Sequence, residues 1–184
     1  MKPGFAILLL SLAPAWCQVK PAAVIASSNL PSPKASRIPL DAMKDLERTF
    51  NYRLASLADV NEPMELMGDF RAVQLDDFGV VVTSEVSLVV TPGLMPGRPK
   101  IPPELAARVH KQRVERLPLL KTGMKEMMRN MAAAFSQIPA GQQMVLVVRL
   151  WYGPWEDTTG MPAQVVMRAD RVSAAAGKVE TEER

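Results

Sequence analysis

Apolar residues recur at three- and four-residue steps in two long stretches of the chain, and in four shorter runs they alternate with polar ones or stand together. After Pro39-Leu40, Asp41 is placed to act as an N-cap. Met43, Leu46, Phe50, Leu54 and Leu57 then mark one face of an amphipathic helix. Residues 64–75 and 80–90 are rich in β-branched and aromatic side chains and read as two strands. Between them, Asp76-Asp77-Phe78-Gly79 predicts a tight turn in which Gly79 takes the left-handed conformation. Residues 91–103 hold five prolines and two glycines and predict a long crossover loop. A helix follows from Pro103, with Leu105, Val109 and Leu117 on its buried side and a break or kink expected at Pro118. Leu120, Met124, Met127, Met131 and Phe135 continue as a second helical stripe, closed by Pro139-Ala140-Gly141. Residues 144–151 and 163–169 predict a second pair of strands around a loop over 153–160.

The element order α-ββ-α(α)-ββ predicts the α+β class, because strands that come in hairpins with helices between them do not build a parallel α/β sheet. The simplest arrangement is a four-stranded antiparallel sheet with its helices packed on one face. The hairpin sequence Arg71-Ala72-Val73-Gln74-Leu75-Asp76-Asp77-Phe78-Gly79-Val80-Val81-Val82 resembles a segment of uncharacterised exported bacterial proteins with a similar element order. That resemblance implies export and carries no activity with it.

The first residues change the picture of where this fold works. One positive charge at Lys2 precedes the apolar run from Ala6 to Ala13, a pattern expected of a bacterial signal peptide over residues 1–17. The run is far shorter than the roughly 20 residues of a membrane-spanning helix. Ala15 and Cys17 supply the small side chains that a cleavage after Cys17 requires, which predicts a periplasmic or secreted chain. The rival reading is a lipoprotein anchored at Cys17, disfavoured by the bulky Trp16 before it. Since Cys17 is the single cysteine, cleavage after it leaves no thiol for disulfides, metal sites or nucleophilic catalysis. The expected domain plan is a signal over 1–17, a flexible tether over 18–39, one α+β domain over 40–172 and a disordered tail over 173–184.

A formal net charge of +3 is too mild to imply nucleic acid. Nine Lys and Arg nevertheless crowd residues 98–129 against three Glu, and Arg108, Lys111 and Arg113 are candidates for docking an acidic partner or surface. Trp151, Tyr152, Trp155 and Glu156 gather aromatic and polar groups in one loop, the strongest candidate binding surface in the sequence. The acid pairs Asp76-Asp77 and Glu156-Asp157 offer carboxylates for hydrolase-like acid/base work, provided the two turns meet. Met124, Met127, Met128 and Met131 have the chemistry to hold a soft metal ion, although their helical spacing equally predicts core packing. His110 is the sole histidine, so a histidine triad or a multi-histidine zinc site is excluded. No cofactor and no metal are expected.

These observations predict a non-enzymatic exported domain that holds an envelope partner or ligand. A carboxylate enzyme and a soft-metal or small-ligand carrier are the alternatives. An exposed sheet edge would let two copies pair.

Overall fold

The computed structural model describes residues 37–57, 63–91 and 101–184. Residues 1–36, on which the expected signal segment, Cys17 and most of the expected tether fall, and residues 58–62 and 92–100 lie outside the described residues. Helix α1 (Leu40–Ala55) leads into β1 (Glu65–Leu75) and β2 (Gly79–Ser87). A long helix α2 (Pro103–Ala134) precedes β3 (Gln143–Leu150) and β4 (Gln164–Asp170). A short helix α3 (Arg171–Ala175) and a fifth strand β5 (Glu180–Glu183) follow.

The class is α+β, but the sheet is mixed and five-stranded, in the order β1-β2-β3-β4-β5. The expected four-stranded antiparallel sheet is corrected at its centre: β2 and β3 run parallel, from Gly79 opposite Gln143 to Val86 opposite Leu150. The reason is the connection. A strand followed by a helix as long as α2 can return beside itself in the same direction, which a short turn cannot do. Hairpin logic holds within each pair, β1–β2 and β3–β4, and fails only at the junction between the pairs.

A second correction concerns the C-terminal residues 173–184, expected to be a disordered tail. Asp170 caps α3, its side chain accepting from the backbone N–H groups of Val172 and Ser173 at 2.9 Å each. Ser173 Oγ also donates to Asp170 Oδ2 at 2.6 Å. Beyond Gly177, β5 pairs antiparallel with β4, Glu180 facing Arg168 and Glu183 facing Val165. Low apolar content hid this strand, because its stability comes from backbone pairing and from Arg168 and Lys121, which reach Glu180 and Glu183.

Pro118 does not break α2, which runs unbroken from Pro103 to Ala134. Its ring lies on the exposed side, and the hydroxyl of Thr122 donates to the Pro118 carbonyl at 3.0 Å. Nor does Asp41 cap α1; it sits in the first turn, after Pro39.

Gly79 enters β2 with φ 136°, and an added Cβ there would drive into the backbone carbonyl of Gln143. Only glycine lets β2 start this close to β3, and the Gln143 N–H donates to Phe78 O at 2.8 Å across the gap.

The core lies between the helices and one face of the sheet. Val80, Val82 and Val86 of β2, Met144, Leu146 and Val148 of β3, and Val165 and Met167 of β4 are buried toward α2. Leu46, Phe50 and Leu54 of α1 join them, Phe50 meeting Phe70 edge-on at 5.5 Å. Met124, Met127, Met128 and Met131 are at most 1% exposed, so their sulfurs are core packing. Among the described residues no helix is long and apolar enough to cross a membrane.

Candidate functional site

Two surfaces compete for the role of site: the aromatic loop after β3, and the sheet face turned away from the helices.

The loop is built around a buried ion pair. Arg113 on α2 is completely buried, and the Glu156 side chain is 1% exposed. Arg113 Nη2 donates to Glu156 Oε1 at 2.8 Å, and Arg113 Nε faces Glu156 Oε2. Glu156 Oε1 also accepts the Gly153 N–H at 2.9 Å. The rest of the guanidinium is spread over two further segments, donating from Nη1 to Trp151 O at 3.2 Å and from Nη2 to Ser87 Oγ at 3.3 Å. Its carbon lies 5.0 Å from the centre of the Tyr152 ring. One arginine thereby ties α2, the end of β2 and the loop together.

Tyr152 shares this enclosure. Burial pushes its pKa up to about 12, although the positive charge of Arg113 pulls the other way. Its neutral hydroxyl donates to Pro162 O at 2.7 Å. Trp155 and Met161 are partly buried and pack on the core. At the rim, His110 Nδ1 stands 2.9 Å from Asp157 O, while the Thr159 amide and hydroxyl bonded to Asp157 hold its carboxyl below the usual range.

The structure therefore brings together Trp151, Tyr152, Trp155, Glu156 and Arg113, which sequence reasoning named separately as an aromatic loop and a basic helix. Arg113 and Glu156 are consumed by each other and face no solvent. Arg108 and Lys111 are exposed on α2, and Lys111 lies 4.0 Å from Glu115 one turn on. The basic stripe is dispersed as well: Arg116 is 8% exposed and donates to Leu88 O at 2.8 Å, and Lys121 pairs with Glu183 at 2.8 Å. Arg98 and Lys100 lie outside the described residues.

The two acidic turns do not meet. Asp76 and Asp77 follow the rung of Leu75 and Gly79, whereas Glu156 and Asp157 lie beyond the rung of Val86 and Leu150. These are opposite ends of the sheet, separated by seven rungs or about 23 Å. Among the described residues no group of three or more His, Cys, Asp or Glu is placed to hold a metal ion.

The outward face of the sheet was not among the candidate sites read from the sequence. Val81, Val145, Val147 and Val166 alternate with the buried residues and point away from the helices. Val73 and Phe78 extend this apolar centre and are 53% and 42% exposed. A shallow hollow of about 420 Å³ lies over Val145, Val147 and Val166. No described element covers it. Around it Arg71, Arg149, Arg168 and Arg184 pair with Asp69, Glu85, Glu180 and Glu182. The signal for this face was present in the sequence: Val145-Leu146-Val147-Val148 and Val80-Val81-Val82 are apolar at both parities, as strands covered on both sides are.

Comparison with known proteins supplies no relative. No protein-family model, curated protein or solved structure matches the chain.

Proposed function

We propose that this chain is an exported, non-enzymatic interaction domain of the bacterial cell envelope, and that it holds its partner on the outward face of its sheet. The observation that carries this reading is the row of Val81, Val145, Val147 and Val166, half-buried and overlain by no described element. An apolar patch ringed by polar groups is the common mark of a protein-binding surface. The loop at Trp151 serves the fold instead, because its charged groups are spent on each other. Carboxylate chemistry shared between the two acidic turns is disfavoured by their separation. Export rests on the N-terminal sequence pattern alone, and intact mass of the chain recovered from its host tests it: a start at Gln18 supports the soluble exported form, a lipidated Cys17 an anchored exported form, and a chain that keeps Met1 and Lys2 opposes export.

The binding surface is tested by placing a photo-reactive amino acid at Val147 or at Lys111 and irradiating the producing cells. Adducts from position 147 and none from position 111 support the reading. The reverse pattern returns the binding role to the basic helix.

A further inference from the structure

We infer that the occupant of the uncovered sheet face is a second copy of this chain, packed sheet against sheet about a two-fold axis that runs along β3. This rests on the reading of that face as the binding surface and names its partner.

Charge is the first argument. The four arginines and four carboxylates around the valines cancel, so the face does not select for a strongly acidic or strongly basic partner, and it does not repel its own copy. The signs are also arranged usefully. On the rung through Thr83, Val147 and Val166, the β1 end carries Arg71 and the β5 end carries Glu182. A two-fold axis along the central strand lays β1 of one copy over β5 of the other. Arg71 then approaches Glu182 of the second copy, and the same contact forms twice, while valine meets valine at the centre. Isologous contact asks for such self-complementarity.

Size is the second argument. Five strands about 4.8 Å apart and about seven residues long give a flat footprint of about 550 Å². Side-chain relief adds to that, which brings each copy toward the about 800 Å² per partner of a standard stable interface. Sheets packed face to face at about 10 Å, with strands within about 30° of each other, are an established way to bury such a surface.

The edges are the third argument, because they close the other route to pairing. On the outer edge of β1, the Phe70 N–H donates to Asn51 Oδ1 at 2.9 Å and the Ala72 N–H to Glu47 Oε1 at 2.8 Å, both side chains reaching over from α1. Two irregularities between Leu66 and Arg71 further bend that strand. At the opposite edge, β5 is four residues long and carries three glutamates. Short, charged or covered edges resist strand addition, so the pairing through an exposed edge that the sequence suggested gives way to pairing through the face.

Sedimentation equilibrium of the purified full-length chain across a concentration series tests the inference. The expected result is a species of twice the chain mass. Val147→Arg, which brings two arginines face to face at the axis, and Thr83→Arg, which seats a charge against Val166 of the second copy, should each weaken self-association at least about tenfold. Circular dichroism confirms that both variants keep the wild-type fold. A dimer that survives both substitutions overturns the inference, since it would use another surface. A wild type that stays monomeric also overturns it. In that case adducts from a photo-reactive residue at 147 to a different protein in cells would leave the interaction reading standing, and no adduct at all would remove both.

Discussion

Arg113 and Glu156, 43 residues apart in sequence, form a salt bridge in which neither side chain meets solvent. Opposite charges taken from water cost several kcal/mol each unless their hydrogen bonds are replaced, and here Trp151 O, Ser87 Oγ and the Gly153 N–H supply the replacements. Breaking one partner is predicted to be far worse than removing both. Arg113→Met or Glu156→Leu alone should lower stability by about 3–5 kcal/mol in chemical denaturation, and the double variant should recover most of that loss. Additive losses would mean that the two groups do not depend on each other.

Tyr152 supplies a prediction at high pH. Burial holds its proton to about 12, against 10.0 for an unburied tyrosine. Above pH 10 the unfolded chain releases this proton while the folded chain keeps it, so the contribution of Tyr152 is whole below pH 10 and lost as pH rises through about 12. The stability gap between wild type and Tyr152→Phe should be widest below pH 10 and should shrink across that window. A gap that widens with pH contradicts the assignment.

Gly79→Ala tests the parallel junction. The new methyl group would meet the Gln143 carbonyl at a backbone angle that L-residues avoid, and backbone atoms cannot move aside as a side-chain tip can. A loss of at least about 2 kcal/mol is predicted. By contrast Gly141→Ala, with open space around it, should stay within about 0.5 kcal/mol. Equal effects at the two sites would place the strand junction elsewhere.

Local pattern made much of this structure legible before any coordinates. Leu46, Phe50 and Leu54 at helical spacing fall on the buried face of α1, and Asp77 (φ 61°) with Gly79 closes the first hairpin as that sequence suggested. What escaped was relational. The choice between parallel and antiparallel neighbours depends on where α2 delivers β3, which no short window records. Arg113 and Arg116 were read as members of a charged surface, yet they stand in register with Val109, Leu117 and Leu120 on the buried stripe. A charge at a core position is a signal for a buried partner, and Glu156 could not be matched to it until the loop was folded over the helix. Glu180 and Glu182 looked like tail composition because a strand that lives by pairing needs few apolar residues of its own.

The central claim is that Val145, Val147 and Val166 are a binding surface and the Trp151 loop is not. Carbene footprinting, which marks exposed aliphatic side chains, tests it most directly when the chain in its producing cells is compared with the purified chain at high dilution. The three valines should be protected in cells and labelled on dilution, while Val114 and Leu119 on the exposed side of α2 are labelled equally in both. Equal labelling of the valines in both states, with protection moved to Trp155 or Lys111, would contradict it.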